Sequence, residues 1–324
     1  MAHTETLTAA VPGLPDIVDY RVKSRPRPLI WLSTAVILVI VFFALKSIVT
    51  NPRFEWHVVG EFFFSTSVLT GLWKTIELTV LSMALGIVLG LVLALMRISR
   101  NGVLNAAAGF YVWFFRGTPL LVQLILLYNI SALYPVITLQ VPFGPELFSG
   151  NVNKIVTPYV AALAALALNE GAYMAEIIRG GLLSVDTGQN EAAKALGMRQ
   201  GRLMRRIVLP QAMRFIIPPT GNQLLSLLKA TSLVSVIALP ELLYSVQVVY
   251  SRTFQTIPLL LVATIWYLLV TSLLMAVQWA LERYYSKGSS RSAPATDSSF
   301  ARLTGIRFTP RPKVASAATT ERTE

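Results

Sequence analysis

The sequence contains no cysteine, which excludes disulfides, thiolate metal sites and cysteine nucleophiles. Its two histidines, His3 and His57, lie far apart in the chain, and neither belongs to a cluster with metal-ligand spacing. There is no Gly-x-x-x-x-Gly-Lys-Ser/Thr segment to hold nucleotide phosphates, and neither His-Glu-x-x-His nor Gly-x-Ser-x-Gly occurs. The sequence therefore gives no support for an ATPase or a membrane-embedded hydrolase, and we expect this chain to bind no metal or cofactor.

Charged residues are also scarce. Only 14% of the 324 residues are charged, whereas 54% are hydrophobic, and several apolar runs are longer than a soluble core helix needs. We therefore expect an integral membrane protein in a lipid bilayer. The net charge of +12 could suggest nucleic acid, but the basic residues lie beside apolar runs, which is the positive-inside pattern of membrane proteins. No nucleic-acid partner is expected.

The apolar runs predict an all-α fold with six transmembrane helices. The predicted spans are residues 29–49, 75–96, 118–134, 155–178, 215–239 and 258–281. Thr118 and Pro119 suit the N-cap and the first helical position of the third span, and Gly86 with Gly90 could allow close helix packing in the second. Counting crossings from a cytoplasmic first residue places three basic segments inside: 97–104, 179–214 and 282–324. Both termini are therefore predicted to be cytoplasmic.

A polar, basic loop between the fourth and fifth predicted spans carries a short helical pattern. Asp186 and Gln189 have the spacing of a capping box, and Gly197 is well placed to end the helix in the left-handed conformation. The pair Ala192 and Ala193 should keep one side thin enough to enter a groove of another protein. The pattern thus predicts an exposed docking helix.

The full spacing of this loop resembles a known family. Glu-Ala-Ala begins at Glu191, Gly197 follows after three intervening residues, and Ile-Val-Leu-Pro begins at Ile207 after nine more. This spacing resembles the cytoplasmic loop of ABC importer permeases, which docks a separate ATPase subunit. The flanking stretches resemble the polar amino acid branch, of the histidine and glutamine type: Arg-Gly-Thr-Pro-Leu-Leu-Val-Gln at 116–123, Gly-Ala-Tyr-Met-Ala-Glu at 171–176, Gly-Gln at 188–189 and Lys-Ala-Thr-Ser-Leu at 229–233.

The resemblance covers roughly residues 71 to 283 and implies a type I permease core of five helices, to which this chain adds one N-terminal helix. The implied organisation is a cytoplasmic tail (1–28), an extra anchor helix (29–50), an outer interfacial segment (51–70), the permease domain (71–283) and a disordered cytoplasmic tail (284–324). The implied location is the bacterial inner membrane. The implied partners are two ATPase subunits that hold Mg-ATP, an identical or homologous permease, an extracytoplasmic amino-acid-binding protein and a polar amino acid substrate.

By the same resemblance, the segment that docks the ATPase is assigned to residues 188–198, here called the coupling segment. The family motif is carried by four residues of this sequence, and two apolar neighbours are expected to enter the ATPase groove. Together with the preceding glycine, the assigned residues are Gly188, Glu191, Ala192, Ala193, Leu196, Gly197 and Met198.

Ionisable residues within spans are costly and are therefore candidates for a substrate path. Glu170, Glu176 and Lys229 qualify. Glu176 has a structural alternative, since Arg179 lies three residues on and could pair with it. For Glu170, substrate contact and an interhelical pair both stay open, and Lys229 could snorkel or pair with either glutamate.

Three amides within spans, Gln123, Asn222 and Gln223, could line the same path or form hydrogen bonds between helices. Two other functions stay open as well. The chain could carry a different small solute with the same architecture, or it could be a channel or secondary transporter that works without nucleotide. A channel would have no use for the coupling segment.

Overall fold

The computed structural model describes residues 28–140 and 146–285, so the predicted tails lie almost entirely outside the described residues. The helices in chain order are α1 Pro28–Thr50, α2 Trp56–Phe63, α3 Thr66–Ile98, α4 Gly102–Gly117, α5 Leu120–Tyr128, α6 Ile130–Leu133, α7 Val152–Ile155, α8 Pro158–Leu183, α9 Thr187–Ala195, α10 Gln200–Leu203, α11 Leu209–Ala230, α12 Leu242–Thr253 and α13 Thr256–Tyr285. The strands are β1 Val136–Gln140 and β2 Glu146–Asn151.

The chain divides into two compact units. Helix α1 belongs to one, and residues 51–289 form the other. Among the described residues, four helices are long and apolar enough to cross a membrane: α1, α3, α8 and α13. The number rises to six if two bent pairs each count as one span. No residue in the apolar window of α1 is buried within the structure, as expected for a helix surrounded by lipid.

The core of the larger unit is the contact between α3 and α8, which small residues make close. A Cβ added to Gly90 would lie 2.5 Å from the Met174 Cβ, and one added to Gly86 would lie 2.7 Å from the Glu170 Cγ. Gly171 likewise faces the Leu89 side chain. The close packing predicted from Gly86 and Gly90 is therefore confirmed, and dispersion contacts along this seam hold the two spans together.

The predicted third span, 118–134, is wrong in its start and its continuity. Thr118 ends α4 in an extended conformation, and Pro119 is the N-cap of α5 rather than its first helical residue. The two helices meet at 102°. The physical reason is that proline disfavours helical geometry in the residue before it and has no N–H to continue the helix.

Two further predicted loops contain regular structure. In the loop at 135–154, β1 and β2 form an antiparallel hairpin in which Val136 pairs with Asn151. The helix that includes the fifth span starts earlier than predicted: α10 begins at Gln200 and runs through a π-helical turn, Met204–Val208, into α11. Beyond α11 a 3₁₀ segment, Thr231–Ile237, ends at Ala238 in the left-handed conformation. The chain then bends by 45° into α12, which occupies most of a predicted outer loop.

Glu241 fixes this bend from a fully buried position. Its carboxylate accepts hydrogen bonds from the backbone N–H groups of Leu243 (2.9 Å) and Tyr244 (2.7 Å) and so caps α12. It also accepts from the Tyr267 hydroxyl on α13 (3.0 Å) and, at 3.4 Å, from the Thr75 hydroxyl on α3. One side chain therefore joins three helices.

Glu241→Ala is expected to lower the free energy of unfolding by about 1–3 kcal/mol, because it removes a helix cap and leaves the Tyr267 hydroxyl without its acceptor. Denaturant unfolding of the purified chain in detergent measures this. Glu61→Ala, at an exposed position on α2, is the matched control and should change stability by less than about 0.5 kcal/mol. Equal effects of the two substitutions would contradict the assigned role of Glu241.

Candidate functional site

The coupling segment is organised around α9, whose start is fixed by Asp186. Its carboxylate Oδ1 accepts a 2.7 Å hydrogen bond from the Gly188 N–H. Asp186 is therefore the N-cap as predicted, but its side chain bonds to the second helical residue and not to Gln189, as a capping box would require. Gln189 contacts Asp186 through its backbone, where its N–H donates to the Asp186 carbonyl at 3.1 Å. Thr187 is therefore the first helical residue, and the glycine amide is used in the cap.

The end of α9 has the geometry of a Schellman motif. Gly197 has φ +71°, which confirms the predicted left-handed conformation. The Met198 N–H donates to the Ala193 carbonyl at 3.1 Å, and the Gly197 N–H donates to the Lys194 carbonyl at 2.9 Å. The last helical carbonyls are thus satisfied, and the turn has one well-defined shape.

The two alanines of the coupling segment do not share the exposure that was predicted for them. Leu196 is 82% exposed and Ala192 is exposed, whereas Ala193 is 2% exposed and belongs to the chain's own hydrophobic core. Met198 is half-buried and packs against the same core. Consecutive helical residues point about 100° apart, so the two alanines cannot share one thin face. Leu196 is the apolar side chain that the segment leaves exposed, and Glu191 is exposed beside it.

Glu176 belongs to an ion-pair cluster at the inner ends of α3 and α8. Its carboxylate contacts Arg179 at 2.7 Å (Oε2 to Nη2) and 3.2 Å (Oε1 to Nε). Arg97 approaches it at 3.9 Å and also donates to Asn105 on α4 at 2.7 Å. The structural alternative for Glu176, a pair with Arg179, is therefore confirmed.

Glu170 is 4% exposed on α8, with the backbone of α3 packed against it at Gly86. The Gln223 amide on α11 reaches its carboxylate at long distances of 3.4 and 3.5 Å. Among the described residues, no arginine or lysine forms an ion pair with Glu170. The hydrogen-bond partner is thus an amide, and the predicted pair with Lys229 is not formed.

Gln123 holds the bend between α4 and α5 and is buried. Its side-chain N–H groups donate to the Phe115 carbonyl (2.9 Å) and to the Thr118 hydroxyl (2.7 Å), and its oxygen accepts from Asn169 on α8 (3.1 Å). The Asn169 amide also donates to the Phe115 carbonyl at 2.9 Å. These contacts match the alternative in which Gln123 bonds helices together rather than lining a path.

α11 presents a polar stripe on its surface. Asn222, Ser226 and Lys229 follow one another at helical spacing, and all three are exposed. Asn222 accepts a 3.0 Å hydrogen bond from Gln278 on α13. No ion pair joins Lys229 to an acid in the part of the chain that the structure describes.

Sequence reasoning missed two sets of polar residues. Lys74 and Glu77 pair at 2.8 Å on α3, and the Tyr159 hydroxyl on α8 donates to Glu77 at 2.6 Å. Their spacing of three residues within an apolar helix was a signal for this pair. Glu241 gave a weaker signal, since only its place between Pro240 and an apolar helix suggests a cap.

In the described residues, no group of three or more metal-ligating side chains is found.

Comparison with known proteins matches residues 86–287 to the family described as "Binding-protein-dependent transport system inner membrane component". The arginine transport system permease protein ArgU of Corynebacterium glutamicum is 42% identical over 88% of this chain and 89% of its own length. The octopine transport system permease protein OccM of Rhizobium radiobacter is 40% identical over 71% of this chain and 90% of its own.

Solved structures show the same architecture. The crystal structure of an amino acid ABC transporter with histidines has a TM-score of 0.58 and 34% identity, and the match covers 67% of this chain and 94% of that one. The MetNI methionine ABC transporter in an inward-facing conformation has a TM-score of 0.56 at 18% identity, which supports the fold alone.

Gln123→Leu is expected to lower the free energy of unfolding by about 1–3 kcal/mol, because it removes the hydrogen bonds through which the buried Gln123 amide joins Phe115, Thr118 and Asn169. Denaturant unfolding in detergent measures the change. Asn129→Leu, on an exposed position at the end of α5 where the amide donates to the Ile125 carbonyl, is the matched control and should have a smaller effect. If Gln123→Leu left stability unchanged, the bend would not depend on Gln123.

Proposed function

Because the chain belongs to the family of binding-protein-dependent transport system inner membrane components, we propose that it is the permease subunit of an ATP-driven importer that moves polar amino acids into the cell. The observation that carries this function is the similarity to the arginine permease over 88% of the chain. The octopine permease and the L-cystine permease TcyB of Bacillus subtilis, at 40% and 35% identity, favour the same class of substrate. The predicted family and helical permease fold are thus confirmed.

Within such an importer, transport and ATP hydrolysis belong to different subunits. The chain is a transport component of the inner membrane, not an enzyme, and a partner subunit hydrolyses ATP. We assign the Mg-ATP to that partner and no cofactor to this chain. The coupling segment, which a channel or secondary transporter would not need, argues for the importer over those alternatives. An importer for another small solute is the second candidate.

We further propose an assembly of two permeases, identical or homologous, on two ATPase subunits, with an extracytoplasmic binding protein that delivers the amino acid. The polar stripe on α11 supports the paired arrangement. Exposed polar side chains such as Asn222 and Lys229 are costly against lipid, so the stripe must face a second subunit and the water-filled path between them. The basic segments support cytoplasmic termini and a cytoplasmic coupling segment.

The geometry divides the candidate path residues into two groups. Glu170, Lys229 and Asn222 are assigned to the path, because the first lacks a cationic partner and the others are exposed within a spanning helix. Gln123 and Glu176 are assigned to positioning, since their polar atoms are already bonded to neighbouring helices. Glu170 is covered in this conformation, and substrate would reach it when α8 and α11 separate during alternating access.

Leu196→Asp is expected to abolish transport without unfolding the chain, because Leu196 is the exposed apolar side chain of the coupling segment. The measurement uses proteoliposomes that contain this chain, its ATPase and the binding protein. Wild type should accumulate labelled arginine only when ATP and all three proteins are present. The variant should retain its unfolding midpoint but lose arginine-stimulated ATP hydrolysis by at least about tenfold, the effect of a buried charge without a partner.

Met198→Asp is the matched comparison, and it should destabilise the chain because Met198 packs against the core. Uptake that persists after the ATPase is omitted would contradict the importer function itself. Full coupling in Leu196→Asp would contradict only the docking assignment. A single cysteine at Lys194 in this cysteine-free chain should react with a label only from the cytoplasmic side.

Glu170→Gln is expected to reduce uptake of a cationic amino acid by about tenfold or more relative to that of a neutral one, because a hydrogen-bonded charge is worth about 1.5–3 kcal/mol. The ratio of arginine to glutamine uptake in the same proteoliposomes measures this. Glu77→Gln is the matched control, since that carboxylate is already paired with Lys74. Equal loss for both substrates would mean that the Glu170 charge does not select the substrate.

A further inference from the structure

Two adjoining cavities lie along α11 and α13. The larger, of about 580 Å³, is lined by α3, α8, α11 and α13 and opens to the surface. The smaller, of about 390 Å³, lies at the start of α11 and the end of α13 and is lined by Arg214, Pro218, Trp279, Glu282, Arg283 and Tyr285. Tyr285 lines both cavities. In the proposed orientation the smaller cavity lies at the cytoplasmic surface of the membrane.

The larger cavity suits a hydrocarbon chain. Its lining is almost entirely apolar and includes Met213, Ile217 and Leu281. The polar groups of Thr220 and Gln278 on its wall are already engaged within the protein. The Thr220 hydroxyl donates to the Ile216 carbonyl at 2.7 Å, and the Gln278 amide donates to the carboxylate of Glu282 at 2.8 Å and to the Asn222 side chain at 3.0 Å. A polar guest would therefore find few partners there.

The smaller cavity suits an anion at the membrane surface. The lining of this cavity carries two positive charges, on Arg214 and Arg283, and one negative charge, on Glu282, which accepts a hydrogen bond from Gln278. The Arg283 guanidinium lies 5.1 Å from the centre of the Trp279 ring, which orients it at the rim. Trp279 is itself exposed, as aromatic residues are at membrane interfaces. Basic pockets between spans on the cytoplasmic side are typical binding sites for anionic lipid headgroups.

We propose that these cavities together bind one anionic phospholipid of the cytoplasmic leaflet, with its phosphate between Arg214 and Arg283 and an acyl chain in the apolar cavity. Lipid is favoured over a second copy of the chain because the neighbouring surface of α13 is exposed and apolar at Leu273 and Leu269. The apolar cavity borders the seam between α8 and α11, whereas the proposed phosphate position lies at the start of α11 and the end of α13. The lipid test measures no transport, so its failure would leave the transport assignment untouched.

Native mass spectrometry of the purified complex in detergent, titrated with dioleoylphosphatidylglycerol or dioleoylphosphatidylcholine, tests the proposal. Wild type should retain the phosphatidylglycerol preferentially. Arg214→Gln and Arg283→Gln should each reduce that preference about fivefold, the equivalent of about 1 kcal/mol per arginine near an anionic membrane surface. Ile217→Trp, which fills the apolar cavity, should weaken retention of both lipids.

The matched control is Arg202→Gln with Arg205→Gln on the exposed basic turn between α9 and α11, which should leave the preference unchanged. Equal retention by wild type and the two cavity variants would overturn the proposal. Displacement of the lipid by millimolar inorganic phosphate would mean that the site recognises phosphate alone, which also overturns it. Efficient disulfide cross-linking between two copies through Tyr284→Cys would place a second chain over the cavity and contradict a lipid occupant.

Discussion

The structure depends on one constraint: polar groups within the hydrocarbon must find their partners inside the protein, because the bilayer core offers no water. The bends obey this constraint most visibly. Where Pro119 ends a helix, Gln123 and Asn169 supply hydrogen bonds to the freed backbone at Phe115. Where the chain bends before α12, Glu241 caps the new helix and joins α3 and α13 to it. Irregular backbone is tolerated at these points because side chains of the same protein supply the hydrogen bonds that a continuous helix would have made.

The residues proposed to contact substrate include polar groups whose hydrogen bonds or ion pairs are incomplete within the chain. Glu176 is paired with Arg179, and Gln123 has its polar atoms engaged, so neither has binding capacity left for a substrate. Glu170 has only two long contacts with Gln223, which an incoming cation could replace at little cost. Lys229 is exposed on a spanning helix. The proposed roles of Glu170 and Lys229 therefore follow from the lack of an ion pair with either residue in the described part of the chain, and not from charge alone.

The sequence predicted helix ends and apolar spans, which depend on neighbouring residues in the chain. It did not predict features that depend on contacts between distant residues. Asp186 and Gly197 define the ends of α9 through their own conformations, and the long apolar runs of α3, α8 and α13 are visible without any partner. Pro119 is itself a local signal for a helix break, but the bends at Pro119 and Ala238 are held by side chains from other helices, which no run of residues displays. The orientation of Ala193 was missed for a related reason, since exposure depends on the core against which α9 packs.

One continuous helical stretch connects the proposed path residues of α11 to the coupling segment. From Gln200 the chain stays helical through the π-helical turn and α11 to Ile237, a stretch that carries Gln223 and Lys229. Because Ala193 and Met198 are packed into the core at its lower end, a force applied at Leu196 acts on the rod and not on a loose loop. The Glu241 network holds the outer bend, whereas the contact between Gln223 and Glu170 is weak. In the proposed function, movement imposed on the coupling segment would act on α11 and so on the long contact between Gln223 and Glu170.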